Sequence, residues 1–149
     1  VAVIYSNLNT GFDQVVAAHY EPYSNIPDTQ RSEISEPRAI DEVFQNYERQ
    51  EYAKVIDRVD AMDPTDKTEI LRFLQANAYQ ATGENNQAIQ AFSELANSGS
   101  MYATASKWYL ALCYLSEKQP DRAIPLVEEL MKSNTSYRPK AEKLMKDLD

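Results

Sequence analysis

The feature that most constrains the fold is a pattern that occurs twice, at an offset of 35 residues. The segment from Ala76 reads ANAYQATGENNQAI, and the segment from Ala111 reads ALCYLSEKQPDRAI. Both contain a small residue, a tyrosine three positions later, a polar turn and then Ala-Ile. A poorer copy covers residues 44–56, with Val55 standing 33 residues before Ala88. A period near 34 residues indicates stacked structural units, each of which covers the apolar face of its neighbour.

The segments between the turns have the apolar spacing of helices. The chain has only three glycines, and no segment shows the sustained alternation of a strand. Turn and cap residues, such as Asp63-Pro64, Gly83, Gly99 and Pro120, separate the helical segments. Because the connections are short, consecutive helices are expected to form antiparallel hairpins. The pattern therefore predicts an all-α fold, with helices over about 9–20, 36–49, 51–62, 68–82, 85–97, 101–117, 120–132 and 137–148.

The repeat resembles the tetratricopeptide repeat, a helix–turn–helix unit of 34 residues. The middle copy matches the family at its small, aromatic, turn-glycine, small and aromatic positions, which are here Ala76, Tyr79, Gly83, Ala88 and Phe92. In the last copy Lys118 replaces the turn glycine and Val127 the aromatic residue. The resemblance covers about residues 36 to 133 and implies a right-handed superhelix of hairpins. It divides the chain into an N-terminal helix and proline-containing loop (1–35), repeats over 36–67, 68–100 and 101–135, and a capping helix (136–149).

In the tetratricopeptide family the first helix of each repeat lines a concave groove that binds a partner. The matching positions carry mainly aromatic and apolar side chains, which are Phe44, Tyr47, Phe73, Asn77, Trp108 and Leu112. Such anchors suit a hydrophobic or helical segment of a protein or peptide. Asn77 alone matches the family's carboxylate clamp, so that mode is not expected. The residues leave three occupants open: an outside segment, the chain's own N-terminal segment, or a second copy in a structural homo-oligomer.

Charge and composition argue against several other functions. The net charge of −8 and the pI near 4.7 would repel a phosphate backbone, so no nucleic-acid partner is expected. His19 and Cys113 are the one histidine and the one cysteine, and both are interpreted as packed side chains. The sequence lacks zinc, EF-hand, Walker and dinucleotide motifs. We therefore expect no enzymatic activity, catalytic residue, metal or cofactor. An acidic run is interpreted as a solvated helix face: Asp57, Asp60, Asp63 and Asp66.

The N-terminal segment carries a second resemblance. His19–Asn25 reads HYEPYSN and is similar to a stretch ahead of the repeats in membrane-anchored envelope proteins of the Bacteroidetes. That resemblance implies the periplasm-facing domain of a single-pass membrane protein, with a cytoplasmic location as the alternative. The apolar start Val1–Tyr5 is shorter than the roughly 20 residues of a membrane-spanning helix. Contact with a membrane is thus expected only through a hydrophobic segment upstream of Val1.

Overall fold

The computed structural model describes residues 11–26 and 38–149. In these two ranges the chain forms eight α-helices and a 3₁₀ turn at Pro64–Asp66, and no strand. The predicted all-α class is therefore confirmed. The helices are α1 (Phe12–His19), α2 (Ala39–Glu48), α3 (Tyr52–Asp60), α4 (Glu69–Ala81), α5 (Asn85–Ala96), α6 (Ala103–Ser116), α7 (Pro120–Lys132) and α8 (Tyr137–Leu148).

Helix ends lie close to the predicted ones, with the largest difference at the start of α2. The sequence predicts this start near residue 36, whereas the helix begins at Ala39. Arg38 has an extended backbone (φ −69°, ψ 157°), and its N–H donates to the Asp41 carboxylate at 3.0 Å. This contact satisfies a donor at the helix start. The predicted start of the first helix, near Asn9, lies outside the described residues.

The chain divides into two compact units. The middle unit comprises Pro22–Ala91, and the terminal unit combines the residues up to Glu21 with Phe92–Asp149. In the middle unit, α2 and α3 form a hairpin, and both contact α4. In the terminal unit, α6 and α7 form a hairpin, both contact α8, and α1 packs against α6 and α8.

Buried alanines occupy the repeated small positions of the helices. Their exposed fraction is zero, so the helices approach closely at these points, and larger apolar side chains fill the space beside them. The four alanines are Ala76, Ala88, Ala111 and Ala123. Among the described residues, no helix is both long enough and apolar enough to cross a bilayer.

The three hairpin turns share one backbone geometry. Gln50, Gly83 and Lys118 all have positive φ, at 59°, 81° and 58°. In each turn the next N–H donates to the carbonyl five residues earlier at 2.8 Å, which is the bond pattern of a Schellman motif; the pairs are Glu51–Asn46, Glu84–Tyr79 and Gln119–Tyr114. The turns therefore repeat in the structure even where the sequence lacks the glycine.

Candidate functional site

All six predicted partner-binding residues are buried. Phe44, Tyr47, Phe73 and Asn77 lie in the middle unit, and Trp108 and Leu112 in the terminal unit. None is more than 4% exposed. These side chains therefore form no open surface, and their contact with an outside partner stays a prediction.

In the middle unit, α4 is covered partly by the arm, defined here as the irregular segment Pro22–Ile26. The backbone N–H of Tyr23 donates to Oδ1 of Asn77 at 3.4 Å. The Tyr23 ring meets the Phe73 ring edge to face, with centroids 4.9 Å apart and an interplanar angle of 81°. Burial raises the pKa of the Tyr23 hydroxyl, against a smaller opposing effect of a hydrogen bond with Asn25. One backbone group and one ring thus attach the arm to two of the predicted residues.

Asn77 is oriented by its own helix. Its Nδ2 donates to the carbonyl of Phe73, one turn earlier, at 2.9 Å, and the side chain is fully buried. An amide has one oxygen acceptor and one NH₂ donor, so this bond directs Oδ1 toward the arm. A fixed acceptor of this kind recognises the N–H of an extended segment whatever that segment's side chain.

A pocket of about 260 Å³ lies between the arm and the α2–α3 hairpin. Its lining residues, called the aromatic pocket below, are Pro22, Tyr23, Ser24, Ile26, Tyr47, Glu48, Gln50 and Tyr52. The rings of Tyr47 and Tyr52 stand 5.6 Å apart at 73°, and burial raises the pKa of Tyr52. The sequence prediction named Tyr47 but missed Tyr52. The sequence feature that could have identified Tyr52 is the turn at Gln50, because this turn brings the last residues of α2 next to the first residue of α3.

In the terminal unit, α6 is covered on several sides. Trp108 is 2% exposed, and its ring lies 6.3 Å from that of Tyr137 in α8. Leu112 is fully buried. Because α6 contacts α7, α8 and α1, the face that the tetratricopeptide resemblance assigns to a groove is part of the core of this unit.

Polar contacts attach α1 near both of its ends. Lys118 Nζ lies 2.9 Å from Asp13 Oδ1, and His19 Nε2 lies 2.6 Å from Asp147 Oδ2. Just beyond the helix, the Tyr109 hydroxyl donates to the carbonyl of Glu21 at 3.0 Å. His19 is thus a packed residue with a carboxylate partner 128 positions away, which no local pattern in the sequence identifies.

The one cysteine of the chain lies in the core of the terminal unit. Cys113 is fully buried; burial, and to a lesser degree the charge of Glu117, raise the pKa of its thiol to about 12. At neutral pH it is therefore the unreactive thiol. No group of three or more potential metal ligands occurs among the residues described. In the acidic run, Asp60 accepts a hydrogen bond from Gln75 at 2.7 Å, which joins α3 to α4.

No protein-family model, curated protein or solved structure matches the chain significantly. The likeness to tetratricopeptide repeats therefore rests on the residues of this chain alone.

Proposed function

We propose that the protein is a non-enzymatic binding module with a tetratricopeptide-like superhelical arrangement of hairpins. Its groove in the middle unit binds an extended segment of a partner protein at Phe73 and Asn77, where the arm now lies. The observation that carries this proposal is the double contact of Tyr23, through its backbone N–H with Asn77 and through its ring with Phe73.

The two contacts complement each other physically. A buried acceptor left without a donor costs about 1–3 kcal/mol, so the Asn77 oxygen favours any occupant that supplies an N–H. The edge-to-face ring pair adds about 0.5–1.5 kcal/mol and favours an aromatic residue at that position. The hydrogen bond to the backbone N–H therefore gives affinity for an extended chain, and the Phe73 ring gives a preference for an aromatic side chain on that chain.

The arm holds this place as an intramolecular occupant. A tethered segment acts at an effective concentration in the millimolar range, so an outside segment has to displace it. The net charge of −8 attracts partners whose flanking residues are basic. The expected partner is thus an extended segment with one aromatic residue and basic neighbours.

The test uses the full chain and a labelled peptide with the sequence of residues 19–28 (HYEPYSNIPD). The substitution Tyr23→Ala weakens the contact of the arm with α4. The variant protein should therefore bind this peptide at least about ten-fold more tightly than the unmodified protein. Tyr79→Ala, a tyrosine of α4 outside this contact, is the matched control and should bind like the unmodified protein. Fluorescence anisotropy measures the affinities, and circular dichroism verifies folding.

Two further results decide the role of the contact. Phe73→Leu keeps an apolar side chain but removes the ring, and in the Tyr23→Ala background it should reverse the gain in affinity. A folded Tyr23→Ala protein that binds the peptide no better than the unmodified chain would refute the proposal.

The burial of all six predicted residues also supports a second candidate, a structural subunit of an envelope assembly whose groove is permanently filled by its own N-terminal segment. This role requires self-association through other surfaces. Analytical ultracentrifugation at high micromolar concentration distinguishes the two, since a monomer argues against the assembly subunit. The envelope location itself is supported by the resemblance of His19–Asn25, and fractionation of cells that express the full gene product tests it.

A further inference from the structure

We propose that the aromatic pocket binds an N-methylated ammonium group, either the head group of a small molecule such as choline or a trimethylated lysine side chain. The pocket belongs to the chain with its arm in place, because four arm residues contribute to its lining: Pro22, Tyr23, Ser24 and Ile26. Binding in the pocket does not require the exchange of the arm for a partner.

Three of the eight residues that line the pocket are tyrosines. The Tyr47 and Tyr52 rings stand at 73° with centroids 5.6 Å apart, and Tyr23 lines the pocket from the arm. Ring faces carry the negative part of the quadrupole, which attracts a cation within about 6 Å of the centroid. Tyr47 is only 4% exposed, so its ring is held in position before any ligand arrives.

The polar lining selects the kind of cation. Glu48 is the acidic residue among those that line the pocket, and the net charge of −8 adds a longer-range attraction for cations. A primary ammonium has three donors and is strongly hydrated, so it would lose hydrogen bonds against rings. Methylation removes those donors and weakens hydration while it keeps the charge. An N-methylated ammonium therefore matches the pocket better than an ordinary lysine.

The volume matches a single head group. About 260 Å³ is less than the roughly 300–1,000 Å³ of pockets that enclose drug-sized ligands. A pocket of this size, bounded by side chains of one hairpin and one crossing segment, accommodates one compact group and not an extended molecule.

The first experiment titrates the full chain with choline and with 3,3-dimethylbutan-1-ol, its neutral isostere, and follows tyrosine ring resonances by NMR. Choline should bind in the millimolar range, and the isostere at least about ten-fold more weakly, because it has the same shape without the charge. Equal affinities, or no binding of choline at tens of millimolar, would overturn the proposal.

A second comparison separates the two sources of the group. Tighter binding of choline than of an acetylated trimethyllysine amide assigns the pocket to a small molecule, and the reverse order assigns it to a modified side chain. The unmethylated lysine amide should bind at least about ten-fold more weakly than the trimethylated one. If methylation makes no difference, ring–cation recognition is refuted.

Variants locate the site. Tyr52→Leu removes one ring and should weaken choline binding roughly 5- to 30-fold, whereas Tyr52→Phe keeps the ring and should stay within about two-fold. Glu48→Gln should weaken binding of choline but not of the neutral alcohol, and this exposed position keeps the test valid if Tyr52→Leu fails to fold. Tyr79→Leu, outside the pocket, is the control. Unchanged affinity in both Tyr52→Leu and Glu48→Gln would place the ligand elsewhere.

Discussion

Gln50 and Lys118 occupy equivalent positions in two turns that connect consecutive helices, and both have a left-handed backbone conformation, with φ of 59° and 58°. Gly83 holds the corresponding position between them, with φ of 81°. For residues other than glycine this conformation costs about 1–2 kcal/mol, because Cβ comes too close to the following carbonyl oxygen. The first and last hairpins therefore contain backbone strain that the middle one lacks.

Gln50→Gly should raise the free energy of unfolding by about 0.5–1 kcal/mol, since the relief of strain exceeds the extra chain entropy that glycine loses on folding. Lys118→Gly should give a smaller gain, because it also removes the contact with Asp13. That pair is largely exposed, with 36% and 74% of the two side chains accessible, so it contributes at most about 1 kcal/mol. Urea denaturation measures both effects.

The matched control is the reverse substitution in the middle turn. A Cβ added at Gly83 meets nothing within 4 Å, so Gly83→Ala tests backbone conformation without steric contacts. It should lower the free energy of unfolding by about 1 kcal/mol. If Gln50→Gly destabilises the protein, the common turn geometry is wrong.

These turns also indicate how far the fold follows from the sequence. Helix spacing and turn residues are local properties, so the hairpins could be predicted even where Lys118 replaces glycine. The turn of the first copy was harder to predict from the sequence, since Asn46 stands where the other copies have Tyr79 and Tyr114. The Asn46 carbonyl nevertheless accepts the same hydrogen bond. The turn depends on the backbone, and many side chains tolerate it.

The site depends on contacts that no local pattern contains. Tyr23 and Asn77 are 54 positions apart, and Glu21 and Tyr109 are 88 apart. The sequence pattern and the resemblance identified a face of α4 that includes Phe73 and Asn77, but not the segment that covers it. Coverage by the arm is decided by tertiary packing, and one proline-containing loop is compatible with many paths over a helical surface.

Cys113 should make the free energy of unfolding decrease at alkaline pH. Burial raises the pKa of its thiol from 9.0 to about 12. Above about pH 9 the Cys113 thiol loses its proton in the unfolded chain but keeps it in the folded chain. The free energy of unfolding therefore falls as the pH rises from about 9 toward 12, and below pH 9 this loss is absent. Relative to Cys113→Ala, the unmodified protein should lose about 1.4 kcal/mol per pH unit in this range.

Urea denaturation of both proteins at several pH values measures that difference. The ten tyrosines also ionise in this range, but both proteins contain them, so their contribution cancels. A difference that stays constant with pH would show that Cys113 has an ordinary pKa and is accessible to solvent.

Trp108, the single tryptophan, reports directly on the terminal unit. At 2% exposure and next to Tyr137, it should emit at short wavelength in the native protein, and iodide should quench it far less than in urea. Tyr137→Ala should increase quenching, whereas Tyr79→Ala should not. Strong quenching of the native protein would instead make Trp108 an open groove residue, available to a partner as the sequence predicts.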